Sequence, residues 1–219
     1  MVETITARKS LDRTGRTITT FVVFDAVTEL DTMREGEVLE LLTDDFEPFE
    51  FDIAAWCRAT GHGLLSSERV GPGRRFLIEK RAPIAKKTAL AMVISDDGLE
   101  ELLSPLGFAL GAALEGITVN LYFQGPAVRV LTKGFHPKLK GWGRPFSRFA
   151  AAGMARTGHI AAQDKLRQLR SLGAYLYVCG GSLGHFKVNR EDFVFDDVPI
   201  VEYLTFMSVM EDADIHLYI

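Results

Sequence analysis

Two cysteines and five histidines are the side chains of this chain best suited to nucleophilic, basic or metal-ligating chemistry. Cys179 stands in the stretch YVCGGSLGHF, at the end of an apolar run and before two glycines. A thiol there has two uses. As a thiolate it attacks sulfur or carbon electrophiles; as a neutral thiol it fills a core as a small apolar group. Gly180 and Gly181 permit a tight turn and close backbone approach, because they carry no side chain and accept unusual dihedrals. Ser182 is suited to cap a helical turn across LGHF. Unpaired N–H groups at such a turn favour an anion, including a thiolate or its persulfide. His185 is the nearby candidate for a cation or base that raises the thiolate fraction. Its spacing of six residues does not by itself bring it to the sulfur. Cys57, beside Trp56 in the helical pattern IAAWCRATGH, reads as structural.

Two other stretches end apolar runs in the same way. ISDDG places Ser95, Asp96 and Asp97 after one run, where they either cap a helix or line a rim. FQGPA places Gln124 and Gly125 after another, where Gly-Pro suits a turn as well as a binding loop. His62, His136, His159 and His216 show no metal-ligand spacing, and two cysteines exclude a multi-cysteine zinc site. The stretch GFHPKLKGWGR gathers His136, Lys138, Lys140, Trp142 and Arg144. It reads as a solvated loop, or as a lid or docking surface for an acidic partner.

The elements that must position these residues fall into two styles. Residues 1–80 read β-α-β-α-β-β: a short strand in TITAR, then a helix over TTFVVFDAVTELDTM with Phe21, Phe24, Val27 and Leu30 at intervals of three. A buried strand in GEVLELLTDD follows. Next comes a helix over EPFEFDIAAWCRATGH, with Pro48 near its start and Gly61 as its stop. GLLSSERV and RRFLIEK form a hairpin around Gly71-Pro72-Gly73. This is a two-layer sandwich. Residues 81–87, RAPIAKK, read as a linker.

From residue 88 the strands lengthen into continuous apolar runs that alternate with helices: TALAMVIS, ITVNLYF, AYLYVC and a closing ADIHLYI. The long helical stretch 146–173 has a break near Gly158. This pattern predicts an α/β fold, an open and mainly parallel sheet with helices on both faces. In such sheets ligands gather outside the carboxyl ends of the strands, where Cys179, Ser95 and Gly125 fall.

Bulk properties narrow the function. A net charge of −4 gives no global basic field for nucleic acid. No run of 18 or more uncharged apolar residues predicts a spanning helix, and the first residues lack the apolar segment of a secretory signal. The expectation is a cytoplasmic protein with free thiols. NLYFQG at 120–125 is like a tag-removal protease site, but it is internal, follows Val119 where such a site has glutamate, and reads as a native strand end.

Residues 88–219 resemble the DsrE/DsrF-like sulfur-relay proteins. The likeness rests on ISDDGLEELLSPLGFALGAALEGITVNLYFQGPAVRVL, on SLGAYLYVCGGSLGHF, where Cys179 and Ser182 fall on the family's A-C-x-x-S-like segment, and on the ending DDVPIVEYLTFMSVMEDADIHLYI. Residues 1–80 resemble the TusA (SirA-like) sulfur carriers, which hold a catalytic cysteine in C-P-x-P at the start of the first helix. Here Ile18 and Thr19 stand at the cysteine and proline positions. The resemblance implies a sulfurtransferase or persulfide carrier acting through Cys179. It implies donor and acceptor protein partners, self-association into a homo-oligomer, a first domain that lacks the family's catalytic cysteine and is used for docking, and no cofactor. The alternative is a non-enzymatic binding or regulatory module built from degenerate relay domains. A flavodoxin-like ligand site at the same rim is the weaker option, because no phosphate loop follows the first strand of the second half.

Overall fold

The computed structural model describes residues 6–84 and 88–219. Its contacts divide the chain into two compact units, Met1–Ala85 with Leu114–Gly116, and Lys86–Ala113 with Ile117–Ile219.

The first unit runs β1 (Lys9–Asp12), α1 (Thr19–Asp31), β2 (Val38–Asp44), α2 (Glu47–Thr60), β3 (Gly63–Val70) and β4 (Gly73–Glu79). The strands form one sheet in the order β1-β2-β4-β3, with β1 and β2 parallel and the other pairs antiparallel. The first strand lies later than TITAR, of which residues 4 and 5 are outside the described residues. Leu11 decides this. It is buried between outward-facing Ser10 and Asp12, and it pairs with Leu41. The buried stripe of α1 is also not the expected one. Val22, Ala26 and Leu30 recur at intervals of four and are buried, with Phe21 and Val23 beside them, whereas Phe24 and Val27 are only half-buried. A strict interval of three drifts around a helix of 3.6 residues per turn. The second helix ends as its sequence predicts: Gly61 takes φ +91° and closes onto the Cys57 carbonyl, a conformation that costs a residue with Cβ.

The second unit contains β5 (Ala89–Ile94), α3 (Leu99–Leu114), β6 (Thr118–Phe123), α4 (Ser147–Arg156), α5 (Ala162–Ser171), β7 (Tyr175–Cys179), α6 (Gly180–Phe186), β8 (Ile200–Val201), α7 (Tyr203–Glu211) and β9 (Ile215–Tyr218). All five strands are parallel, in the order β8-β7-β6-β5-β9. The two-residue β8 has no counterpart in the sequence reading, since so short a run carries no periodicity. One sheet face packs on α7: Ala91, Val93, Tyr122 and Cys179 cluster with Phe206 and half-buried Tyr177. The alternate residues Leu90, Met92 and Ile94 point the other way and are buried as well, which is why these strands read as continuous apolar runs. On α3, Leu102, Leu106, Ala109, Leu110 and Ala113 form the buried stripe of a long helix. The break near Gly158 separates α4 from α5. No described helix is long and apolar enough to cross a membrane.

Candidate functional site

Parallel strands bring their carboxyl ends to one rim, and five strand ends meet there. Cys179 is the last residue of β7 and the N-cap of α6, with extended backbone at φ −72° and ψ 119°. The chain turns directly from strand into helix, so the side chain stays on the sheet face that packs on α7. Only 2% of Cys179 is exposed. It nevertheless forms part of the wall of a cleft of about 540 Å³, together with Ser95, Gly125, Gly181, Ser182 and His185. Gln124, Phe186, Glu202, Tyr203 and Tyr218 complete that wall.

Glu202 organises this site. It precedes α7 at the N-cap position, but its side chain makes no hydrogen bond to its own helix. Instead its Oε1 accepts from the Gly181 N–H at 3.0 Å, and its Oε2 accepts from the Cys179 thiol at 3.8 Å. The anion expected at the turn after Cys179 is thus the chain's own carboxylate. Gly180 makes this possible through space, not dihedral freedom. A Cβ there would lie 2.6 Å from Glu202 Oε1, and neither Gly180 nor Gly181 has positive φ. The expected role of Ser182 also changes. It lies inside the first turn of α6 and caps nothing, because the helix begins two residues earlier. Its Oγ accepts from the Gly125 N–H at 2.8 Å, tying the end of β6 to α6. Gly125 adopts φ +54° in that contact, and a Cβ would press on the Ser95 carbonyl at 3.2 Å.

Two tyrosines, Tyr122 and Tyr203, lie beside the sulfur, and a third, Tyr218, lines the same cleft. Tyr122 is 1% exposed, and its hydroxyl lies beside the Cys179 thiol without a hydrogen bond of good geometry. Burial first, then the neighbouring thiol and Glu202, push its ionisation far above the usual phenol range. Tyr203, an exposed residue, is also shifted upward, chiefly by the charge that Cys179 would carry. Tyr122 stacks on Phe206 at 4.7 Å between ring centroids. Tyr218 accepts from the Gln124 amide at 2.7 Å. These aromatics and Met207 and Met210 line an adjoining apolar recess of about 400 Å³.

The remaining predicted residues divide. Ser95 lies on the rim, with its Oγ bound to the Ile219 carbonyl at 2.6 Å. His185 is exposed on the cleft wall and its ring meets Phe186 edge-on at 4.9 Å; no hydrogen bond joins it to Cys179 among the described residues. Asp97 does not converge on the cysteine. It pairs with Arg129 at 2.9 Å and lines a different cleft, with Lys138 and Arg144. Asp96 turns back to the Gly98 N–H and binds Lys140. Burial raises its carboxyl, and the Lys140 and Gly98 bonds more than reverse this, holding it below the usual range. Cys57 is 1% exposed in α2, where burial pushes its thiol up to about 12. No group of three or more His, Cys, Asp or Glu is placed to hold a metal among the described residues.

Glu202 and Tyr122 are the residues that sequence reasoning missed. The one local signal for Glu202 is its type: glutamate is not among the side chains that favour an N-cap, so its selection there points to a partner elsewhere. Tyr122 carries no such signal inside the run ITVNLYF.

The fold and the rim define a class: an α/β domain with a parallel five-stranded sheet and a single cysteine at a strand's carboxyl end. Residues 88–218, more than half of the chain, match the DsrE/DsrF-like family, and the protein belongs to it. Residues 22–80 match the family described as Sulfurtransferase TusA. That match begins after Ile18, which stands at the N-cap of α1. Both families belong to sulfur relay and work with partner proteins, which supports a sulfur-transfer role in general. No curated protein matches significantly. Six chains of solved structures do, among them the ychN protein from E. coli. It is 12% identical, with a TM-score of 0.42, covering 60% of this chain and 99% of that one.

Proposed function

We propose that this protein is a persulfide carrier in which Cys179 accepts sulfane sulfur from a donor persulfide and passes it to an acceptor thiol. The observation that carries the reading is the Cys179 thiol in the wall of the strand-end cleft, held by Glu202 at 3.8 Å, while the second cysteine is sealed in α2. In the loading step the Cys179 sulfur, as thiolate, attacks the outer sulfur of the donor persulfide. A new S–S bond forms on Cys179 as the donor S–S bond breaks, and the donor leaves as a thiolate that takes up the proton Cys179 released. In the unloading step the acceptor thiolate attacks the outer sulfur in the same way and returns the Cys179 thiolate. The two steps are redox-neutral and call for no metal, nucleotide or flavin.

Glu202 faces the sulfur. Negative charge that builds on Cys179 during attack is opposed by this carboxylate at 3.8 Å. An incoming persulfide anion competes with Glu202 for the Gly181 N–H, and its arrival exchanges one anion for another. The Tyr122 hydroxyl, buried beside the sulfur, is a donor for charge that develops there. The partners in this reading are a donor and an acceptor protein, the compartment is the cytoplasm, and the chain self-associates. The first unit, with Ile18 at the position where the resemblance has a cysteine, serves docking.

Intact-mass spectrometry after exposure to a persulfide donor tests this. The wild type gains the mass of one sulfur atom, released by an acceptor thiol, and Cys179→Ser gains none. An unmodified wild-type chain would refute the carrier. It would favour the non-catalytic binding module, which the near-complete burial of Cys179 supports as a second reading.

A further inference from the structure

A second cavity of this unit lies apart from the cysteine cleft. It encloses about 870 Å³ between α3, α4 and the start of α5. Its floor is apolar, with Leu102 and Leu103 of α3 and Met154 of α4. Every charged or titratable side chain in its lining is basic, from His136 and Lys138 through Arg144 and Arg148 to His159 and Lys165. The sequence is biased in the same sense. From Gly116 to Gln163 the chain carries no aspartate or glutamate, while lysine or arginine recurs from Arg129 to Arg156, in a protein of net charge −4. Among the described residues, neither Arg144 nor Arg148 pairs with a carboxylate, although most arginines of the first unit do. Lys165 is 2% exposed in the cavity wall and donates to the Leu103 carbonyl at 2.9 Å. A buried ammonium is costly in apolar surroundings, and burial lowers this one to about 8.

We infer that this cavity binds a long-chain carboxylate, its tail on Leu102, Leu103 and Met154 and its head among Arg144, Arg148 and Lys165. The volume suits such a ligand, since small-molecule sites span about 300–1,000 Å³ and are mostly apolar with a few placed polar groups. Guanidinium groups pair with carboxylates through two parallel bonds, and an unpaired arginine at an apolar cavity is suited to that task. This site is separate from the sulfur chemistry at Cys179 and stands or falls without it.

The test is calorimetric titration of the full chain with monomeric dodecanoate, beside dodecylamine and anionic vesicles. Dodecanoate binds one per chain and dodecylamine does not. The double variant Arg144→Ala/Arg148→Ala, at exposed positions, weakens binding by at least ~10-fold, the scale of losing a charged hydrogen bond. Ala151→Trp, which fills the cavity from α4 and leaves every cation in place, weakens it as well. Circular dichroism verifies that both variants fold. Equal binding of dodecylamine, undiminished binding by either variant, or no binding of dodecanoate overturns the inference. Binding to anionic vesicles without binding of the monomer overturns it too, and makes the arginines a membrane-surface patch.

Discussion

Replacing Glu202 by Gln separates the charge at the cysteine from the geometry around it. Glutamine keeps an Oε1 that can accept from the Gly181 N–H, so the link that now measures 3.0 Å survives. What disappears is a negative charge 3.8 Å from the Cys179 sulfur. At about 4 Å, two unit charges interact by about 1 kcal/mol in water-like surroundings and about 4 kcal/mol at the effective dielectric of a protein surface. Glu202 is an exposed residue, so the lower figure governs. Relief of about 1 kcal/mol, felt by the charge that builds on the sulfur during attack, corresponds to roughly a fivefold rise in rate. The assay is the second-order rate of iodoacetamide alkylation at neutral pH. Cys57 adds no background in the folded protein, because burial holds its thiol near 12. Glu202→Gln is expected to alkylate about five times faster than wild type. A rate that is unchanged or lower would refute the opposition of Glu202 to charge on the sulfur, and a lower rate would make Glu202 the base that removes the thiol proton.

Gly180→Ala should act on the same contact from the other side. The new Cβ would sit 2.6 Å from Glu202 Oε1, the far end of a flexible side chain, so Glu202 moves while the fold holds. Alkylation of Cys179 then rises as in Glu202→Gln with the thermal midpoint little changed; a slow, unaltered rate would contradict this. Lys165→Met should flatten part of the pH dependence of stability. The folded lysine is depressed to about 8 from 10.5, so the unfolded chain binds more protons between these values. Its burial penalty is full below about pH 8 and fades by about 10.5, and wild-type stability rises across that window by on the order of 1–3 kcal/mol. Urea unfolding at pH 7 and 10 checks this, and an identical rise in the methionine variant would refute it. Arg74→Ala should lower stability by about 1–3 kcal/mol in denaturant unfolding. Arg74 is 8% exposed and holds Asp45 at 3.0 Å, Glu50 at 2.7 Å and Ser67 at 3.0 Å, but both carboxylates are partly solvated, so the loss falls short of a fully buried pair.

Much of the architecture is legible in the chain because it rests on local chemistry. Continuous apolar runs at 89–94 and 118–123 mark strands buried on both faces, and Gly61 stops α2 where a left-handed residue is needed. The position of Cys179 at a strand end is legible for the same reason. Less of the site is. Ser182 looks like a cap in the sequence, yet it binds Gly125, a residue 57 positions away. Asp97 has the right type and the right strand end, but Arg129 draws it into another cleft.

By itself, the sequence determined where the candidate thiol stands, since one cysteine follows an apolar run and the other lies inside a helix. Only the tertiary structure decided what faces that atom. Glu202 lies 23 positions from Cys179 and arrives through the parallel pairing of β7 with β8, in which Cys179 aligns with Val201. Tyr122 arrives because β6 pairs with β7 and places it opposite Tyr177. Periodicity reports which side of an element is buried. The neighbour that buries it, and the charge that neighbour carries, are set by strand order, which no local pattern encodes.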